Sequence, residues 1–274
     1  MGEIIACANQ KGGVGKTTTV VNLATALAAT GRRILVIDLD PQGNATSGFG
    51  VDKSAVTASV YDAIVDTVPI GELLVATGSG VTMIPSAIAL AGLEVELASL
   101  PQRERRLRRS LEPLRGSFDY LFLDCPPSLG LITVNALTAA DSVLVPVQCE
   151  YYALEGLGQL VATIQLVRDN LNPSLEVRGV LLTMFDARTN LSADVRDEVR
   201  RHFGSAVYDT VVPRSVRLSE APSHGVPVAL YSPDSKGARA YASAASEFLA
   251  RAGEDPGLRP GVRTLSEPLA GVPA

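Results

Sequence analysis

The feature that most constrains the fold is an apolar run that leads into a glycine-rich octet and then into a helix. The run covers residues 3–9, the octet reads Lys-Gly-Gly-Val-Gly-Lys-Thr-Thr over residues 11–18, and the helix is predicted over residues 17–30. Glycines let backbone N–H groups curl around phosphate oxygens because no Cβ stands in the way. The N-terminus of the helix adds partial positive charge. This order of strand, loop and helix predicts a phosphate-binding P-loop.

The octet assigns a chemical task to its side chains. We expect the Lys16 ammonium to reach the β- and γ-phosphates of a nucleotide and the Thr17 hydroxyl to bind Mg²⁺. Further contacts to the nucleotide are expected from Gly12, Gly13, Val14, Gly15 and Thr18. A glycine turn that binds nothing is the alternative, and the complete octet in this setting disfavours it. The loop departs from the common form because Gln10 replaces its first glycine and Lys11 adds a lysine.

Short apolar runs alternate with helical patterns along the rest of the chain. Strands are predicted over residues 3–9, 33–38, 81–85, 120–124, 142–147, 177–183 and 206–212. Several are apolar throughout, as strands buried on both faces are. Helices are predicted over residues 154–171 and 191–203, where apolar residues recur at helical spacing. The pattern predicts an α/β fold with a mostly parallel, twisted sheet and helices on both faces.

The last part of the chain differs in composition from the rest. Glycines and prolines recur after residue 251 and break any regular element. We therefore predict a P-loop domain over residues 1–251 and a Gly/Pro-rich disordered tail over residues 252–274. The tail shows no amphipathic pattern that could hold a membrane surface.

Three aspartates end apolar runs. Asp38 and Asp40 are two residues apart at the end of the second predicted strand, so both project the same way from the edge where open α/β sheets bind ligands. Asp124 ends the run of residues 120–124 and is a candidate to reach a metal through water. An ordinary acidic strand end is the alternative for each. With the P-loop ahead of them, these aspartates predict a magnesium-dependent hydrolysis site.

Charge and cysteine content exclude several classes of protein. The chain has 274 residues, a net charge of −5, and three cysteines (Cys7, Cys125 and Cys149) with no C-x-x-C pair. This argues against an iron–sulfur site, a zinc site or a disulfide framework, and it favours a reducing cytoplasm. No secretory signal and no apolar stretch long enough to span a membrane is recognisable. Any binding to nucleic acid must use a local basic patch.

The octet with its leading lysine resembles the deviant-Walker ATPases, a group that includes ParA/Soj, MinD and the nitrogenase iron protein. The segments Asp-Leu-Asp-Pro-Gln-Gly-Asn over residues 38–44 and Asp-Cys-Pro-Pro-Ser-Leu-Gly over residues 124–130 look like the two switch segments of the same family. The family's counterpart of Lys11 crosses a dimer interface to the partner's phosphates. The resemblance therefore implies an ATP-dependent sandwich dimer in which Lys11 binds nucleotide. It also implies that Asp40 orients the attacking water.

The same resemblance distributes the remaining roles. Asp38 would support Mg²⁺ and Thr17, and Asp124 would reach the metal through water. The catalytic residues would be Lys11, Lys16 and Asp40.

Three later segments look like chromosomal ParA/Soj proteins in particular. They cover residues 149–156, 186–190 and 212–222, and the resemblance as a whole runs from residue 4 to about residue 249. It implies that Pro213 and Ser215 border the adenine, although Ser215 stands where these proteins usually have asparagine. A polar turn after a strand is the alternative for this segment.

Arginines are the candidates for contact with DNA. Arg188 and Arg217 are expected in loops after strands and match positions that bind DNA in Soj relatives, whereas a plain surface arginine is the alternative for each. The densest basic run consists of Arg103, Arg105, Arg106, Arg108 and Arg109. It lies on a predicted helix with an apolar face of Leu100, Leu107, Leu111 and Leu114. For this run we favour a solvated helix face over contact with DNA.

The resemblance implies ATP-dependent partition of chromosomal or plasmid DNA. The cofactors would be ATP and Mg²⁺. The partners would be a second copy of the chain, double-stranded DNA bound without sequence preference, and a ParB-type centromere-binding protein that stimulates hydrolysis. The protein would be cytoplasmic and nucleoid-associated, with no membrane partner.

Other classes of P-loop protein are disfavoured by particular features. A MinD-like membrane-surface regulator is the main alternative, but it needs a C-terminal amphipathic helix. An iron–sulfur reductase needs ligand cysteines near the dimer interface, and no suitable pair is evident. A metabolic kinase needs a substrate pocket and a lid, which the sequence neither shows nor excludes.

Overall fold

One sheet organises the molecule, for which a computed structural model describes residues 2–150 and 153–257, with the side chains of residues 153–156 left undescribed. Its strands are β1 (Glu3–Cys7), β2 (Ile34–Asp38), β3 (Val75–Ala76), β4 (Thr82–Ile84), β5 (Tyr120–Asp124), β6 (Ser142–Gln148), β7 (Glu176–Phe185) and β8 (Val207–Pro213). They lie in the order β3-β4-β2-β5-β1-β6-β7-β8. Every neighbouring pair is parallel except β3 and β4. The predicted mostly parallel sheet is therefore confirmed.

Eleven α-helices lie between or after the strands of the described chain. They are α1 (Lys16–Ala28), α2 (Asn44–Gly48), α3 (Val60–Ile64), α4 (Leu90–Ala98), α5 (Arg106–Leu111), α6 (Leu131–Ala139), α7 (Ala153–Asn170), α8 (Asn190–Phe203), α9 (Val216–Glu220), α10 (Val228–Tyr231) and α11 (Lys236–Arg251). Short 3₁₀ turns lie at Lys53–Ala55, Ile70–Leu73, Arg103–Arg105, Glu112–Leu114, Gly204–Ala206 and Ala221–His224. The helices predicted over residues 17–30, 154–171 and 191–203 correspond to α1, α7 and α8.

Two apolar cores cover the two faces of the sheet. Successive residues of a strand point to opposite faces, so Ile4 and Ala6 of β1 enter one core while Ile5 and Cys7 enter the other. Helices α1 and α11 close the core around Ile5, whereas α6 and α7 contribute to the core around Ile4. Burial on both faces explains why the strands are apolar throughout. It also confirms the prediction of helices on both sides.

Strand order decides which strand ends meet. β5 lies between β1 and β2, and Asp124 at its end pairs in register with Cys7 on one side and with Asp38 on the other. The loop after β1 leads directly into α1. The P-loop and two of the three predicted carboxylates are therefore neighbours at the carboxyl edge of the sheet.

Residues 252–257, the first part of the segment predicted to be disordered, pack against the opposite edge of the sheet. The nearly buried Arg32 side chain donates to the carbonyl oxygens of Gly257 (2.9 Å) and Asp255 and forms an ion pair with Glu254 (3.3 Å). The Tyr120 hydroxyl donates to the Glu254 carboxylate at 2.7 Å. Residues 258–274 lie outside the described residues. Within the described ranges, no helix is both long and apolar enough to cross a membrane.

Candidate functional site

The octet forms a tight loop whose backbone conformation depends on two glycines. Gly13 and Gly15 have φ of 74° and 89°, in the left-handed region that side chains disfavour. Gly15 is the N-cap of α1, and the first turn of a helix leaves its backbone N–H groups free for an anion. The Thr183 hydroxyl fixes the loop by donating to the Val14 carbonyl oxygen at 2.8 Å. The local geometry is therefore that of a phosphate-binding loop.

A cavity of about 320 Å³ opens over this loop. It is lined by Gly12, Gly13, Gly15, Lys16, Thr17, Thr18, Asp40, Gln42, Asn44, Pro127 and Met184. Lys16 is only 7 % exposed, and its ammonium donates to the backbone carbonyl of Lys11 at 3.2 Å. The positive charge is thus already curled over the loop, where it faces any anion that enters.

Lys11 has a different partner from Lys16. Its ammonium lies 3.4 Å from the Glu150 carboxylate of the same chain. Glu150 also accepts a hydrogen bond from Gln148 at 2.6 Å and lies 3.6 Å from the Arg214 guanidinium. In this single chain Lys11 therefore forms an intramolecular ion pair with Glu150.

Asp38 is a fully buried carboxylate that accepts three hydrogen bonds. Its Oδ2 accepts from the backbone N–H and the hydroxyl of Thr46, each at 2.8 Å, and its Oδ1 accepts from the Asp40 N–H at 3.2 Å. Burial raises the pKa of Asp38 to about 6, although the bonds from Thr46 act against the rise. Asp40 is only partly buried and accepts from the Gln42 N–H at 2.9 Å. Asp40 thus presents the more accessible carboxylate to the cavity.

Asp124 is completely buried, and its carboxylate is poorly satisfied by hydrogen bonds. Neither of its oxygens has a hydrogen bond of normal geometry within the described residues. Burial and the neighbouring Asp38 charge raise its pKa well above the usual range, and the nearby Thr17 hydroxyl and Lys16 ammonium offset part of that rise. A buried carboxylate without a donor is costly unless a cation or a proton satisfies it. The Asp38–Asp124 pair beside Thr17 therefore fits a divalent cation.

The kind of cation follows from the donor set. The described residues contain no group of three or more His, Cys, Asp or Glu side chains placed to hold a metal. A cation here would be bound by one or two carboxylates and a hydroxyl, with water and phosphate oxygens completing the shell. Mg²⁺ is bound in this way, whereas zinc sites take more protein ligands.

A second cavity of about 330 Å³ continues from the P-loop toward β8. It is lined by Gly15, Thr18, Thr183, Met184, Val212, Pro213, Arg214, Ser215, Leu218, Ser219, Pro222 and Tyr241. Pro213 and Ser215 thus lie where the adenine was expected. Met184 is a lining residue that no sequence pattern predicts; it borders both cavities and has a φ of 51°. A left-handed methionine is unusual and points to a local functional constraint.

The two candidate DNA-binding arginines follow adjacent strands. Arg188 lies in the loop between β7 and α8, as expected, but Arg217 lies on helix α9 and not in a loop. Arg188 pairs with Asp186 at 2.7 Å and holds the pKa of that carboxyl well below its usual range. Arg217 pairs with Glu220 at 2.7 Å. Both arginines are exposed, yet each already has a carboxylate partner.

The arginine run around α5 is partly neutralised. Arg106 and Arg109 both bind the Asp66 carboxylate, and Arg103 pairs with Glu104. Leu107 and Leu111 are fully buried beneath them. Arg103 and Arg105 precede α5 in a 3₁₀ turn, and the Arg106 side chain is only 12 % exposed. Of the predicted solvated helix face, only Arg108 and Arg109 are exposed residues on α5 itself.

The family model described as an AAA domain matches residues 2–177. The chain is 57% identical over 251 residues to the sporulation initiation inhibitor protein Soj of Bacillus subtilis, covering 91% of this chain and 99% of that protein. It is 52% identical over 252 residues to the chromosome partitioning protein ParA of Myxococcus xanthus, covering 92% of this chain and 89% of that protein.

A solved structure extends the comparison to the fold. That structure is of a cobyrinic acid a,c-diamide synthase from Mycobacterium smegmatis with bound ADP and magnesium. It superposes with a TM-score of 0.82 at 40% identity and covers 95% of this chain and 100% of its own. The two partition relatives are more similar in sequence and match nearly their whole length. The chain therefore belongs to the family of the ParA and Soj chromosome-partitioning ATPases.

Proposed function

We propose that this protein is a magnesium-dependent ATPase that partitions DNA. ATP closes a homodimer, the dimer binds double-stranded DNA without sequence preference, and a ParB-type centromere-binding protein stimulates hydrolysis and release. The observation that carries the proposal is the edge of the sheet at which the P-loop, the unpartnered Asp124 and the accessible Asp40 meet. The place of action would be the nucleoid in the cytoplasm.

The residues divide the work of phosphoryl transfer among them. The Lys16 ammonium would exchange the Lys11 carbonyl for phosphate oxygens, while the backbone of the loop and the N-terminus of α1 bind the same anion. Pro213 and Ser215 would border the base in the adjoining cavity. Thr17, Asp38 and, through water, Asp124 would hold Mg²⁺, which would supply positive charge for the phosphates. Asp40 would orient the attacking water from the cavity wall.

Cosedimentation separates this function from a MinD-like membrane regulator. The protein is mixed with duplex DNA or with anionic liposomes, in the presence of ATP or ADP. We expect ATP-dependent retention on DNA and none on liposomes. Retention on liposomes alone would favour the membrane regulator and reject partition.

The name of the M. smegmatis structure raises a second candidate, an amide-forming synthase. That structure is 40% identical to this chain, superposes with a TM-score of 0.82 and covers 95% of this chain. Such an enzyme would couple ATP turnover to a carboxylic acid acceptor and a nitrogen donor. Stimulation of turnover by cobyrinic acid with glutamine or ammonia, and not by DNA with a ParB-type protein, would favour it.

Lys11 is expected to control dimer formation separately from ATP binding. Lys11→Ala should leave ATP affinity largely in place but prevent the ATP dimer, because the charge that reaches the partner's phosphates is lost. Glu150→Gln should favour the dimer, since it weakens the ion pair that holds Lys11 in its own chain. Light scattering with a non-hydrolysable ATP analogue measures both. Lys236→Ala, at an exposed site on α11, is the matched control. A stable dimer of Lys11→Ala would reject the role of Lys11 in trans.

The DNA contacts are expected to depend on Arg188 and Arg217. Each substitution to alanine should weaken binding to any duplex about equally. The negative slope of log K against log salt should become shallower by ~0.9 for each lost phosphate contact, or about 1.8 per dimer. Asp186→Asn should strengthen binding, because it frees Arg188 from its carboxylate.

DNA affinity across a salt series with ATP present tests this expectation. Arg33→Ala is the control, since Arg33 is also exposed and ion-paired but precedes β2 at the other edge of the sheet. ATP hydrolysis without DNA should stay near normal in every variant. Unchanged affinity and slope in both Arg188→Ala and Arg217→Ala would show that these arginines do not contact DNA. The basic run at residues 103–109 would then be the next candidate.

A further inference from the structure

Two buried hydroxyl side chains, Thr46 and Ser86, connect the Asp38 carboxylate to the backbone of Asp40. Thr46 lies on α2, and Ser86 follows β4, the strand beside β2. The Thr46 hydroxyl donates to Asp38 at 2.8 Å, and the Ser86 N–H donates to the Thr46 hydroxyl oxygen at 3.0 Å. The Ser86 hydroxyl then donates to the backbone carbonyl of Asp40 at 2.5 Å. The Asp40 N–H donates to the Asp38 carboxylate at 3.2 Å, which closes the ring.

The direction of each bond in this ring is fixed by the inventory of donors. A hydroxyl has one hydrogen to donate, and the carboxylate of Asp38 and the carbonyl of Asp40 can only accept from it. The single Thr46 hydrogen therefore points to Asp38, which leaves its oxygen free to accept from Ser86. The Ser86 hydrogen points to Asp40. Loss of one hydroxyl removes a bond that no neighbour in the ring can replace by rotation.

Burial makes the ring rigid. Thr46 and Asp38 are completely buried, and Ser86 is 1 % exposed. Water cannot substitute for a lost partner there, and hydrogen bonds in such surroundings are stronger than in solvent. Asp40, in contrast, is partly exposed and lines the P-loop cavity. The ring thus ties the accessible carboxylate to the buried frame of the sheet through its own backbone.

We propose that Thr46 and Ser86 are positioning residues for ATP hydrolysis, holding Asp38 toward the cation and Asp40 toward the water. The inference rests on the hydrolysis proposed above. Neither residue lines the P-loop cavity, so both act through the aspartates. Their loss should lower turnover at saturating ATP and leave nucleotide binding in place.

The decisive comparison is between two substitutions at one site. Thr46→Val keeps the shape and removes the hydroxyl, whereas Thr46→Ser keeps the hydroxyl. We expect Thr46→Val to lower kcat by about 10- to 100-fold, as loss of a partner behind a metal ligand does. Affinity for a non-hydrolysable analogue should change by less than about threefold, and Thr46→Ser should retain kcat within about threefold. Thr138→Val is the control, because Thr138 is also buried but its hydroxyl only donates within α6, to Val134.

Ser86→Ala provides a second, independent arm. It keeps the backbone N–H bond to Thr46 and removes only the bond to Asp40, so we expect a loss in kcat of about tenfold. This variant decides the question if Thr46→Val does not fold, as judged by its melting curve. Equal kcat in wild type, Thr46→Val and Ser86→Ala would overturn the positioning role and leave the ATPase intact. A wild-type protein that hydrolyses no ATP would overturn both the role and the proposed function.

Discussion

Lys16→Ala is expected to abolish ATP binding while the protein stays folded. The Lys16 ammonium is nearly buried beside the N-terminus of α1, where it would make charge-assisted hydrogen bonds to phosphate. Loss of such bonds is worth about 3 kcal/mol or more, which corresponds to roughly 100-fold or more in Kd. In the free protein the ammonium makes one hydrogen bond, to the Lys11 carbonyl, and partly offsets the charge of Asp124, so we expect the variant to stay folded with a modest change in melting temperature.

Isothermal calorimetry with ATP and Mg²⁺ measures this loss. Lys53→Ala is a suitable control, since Lys53 is an exposed lysine whose ammonium also donates to a backbone carbonyl, that of Gln42, at 2.9 Å. The control should bind ATP as the wild type does. Normal affinity in Lys16→Ala would contradict the assignment of the loop.

Asp40→Ala is expected to stop hydrolysis and to trap the protein on DNA. Asp38 and Asp124 are completely buried, so Asp40 is the most accessible of the three carboxylates to water in the cavity. Removing a group that positions or activates water typically costs about 10²- to 10⁴-fold in rate. ATP binding and dimer closure do not require this group. The variant should therefore accumulate as an ATP-bound dimer on DNA.

Asp40→Asn separates the charge of Asp40 from its role in the loop. Asparagine can still accept the hydrogen bond from the Gln42 N–H, so the loop should keep its shape. Phosphate release and DNA retention are measured for both variants. We expect both to lose hydrolysis, because neither carries the carboxylate. Undiminished phosphate release in either would show that another residue handles the water.

The sequence predicts those parts of this protein that repeat a local pattern. Seven strands were predicted from apolar runs, but the two-residue strand β3 is too short to leave a pattern. The P-loop was predicted because its chemistry lies in consecutive residues. The contact between Asp38 and Asp124 depends on β5 lying beside β2, which strand order decides and spacing along the chain does not.

Residues that act through tertiary contacts were missed for the same reason. Ser86 reaches Asp40 from the segment after β4, 46 residues further along the chain. The left-handed backbone of Met184 lies at an irregularity in the pairing of β7 with β8, which a run of apolar residues does not predict. Lys11 is predicted to reach a partner subunit. Its ion pair with Glu150 could not be predicted, because the two residues are 139 residues apart. In each case, local patterns carry no information about the neighbouring element.

The attachment of residues 252–257 through Arg32 has a practical consequence for experiments. Arg32 precedes β2 and Tyr120 begins β5, so the chain leaves residue 257 at the amino edge of the sheet. A five-residue strand separates that edge from the nucleotide site by about 16 Å. A fluorophore or surface tether coupled at residue 257 would thus lie at the edge of the sheet opposite the nucleotide site. It could report assembly or DNA capture without competing for the nucleotide.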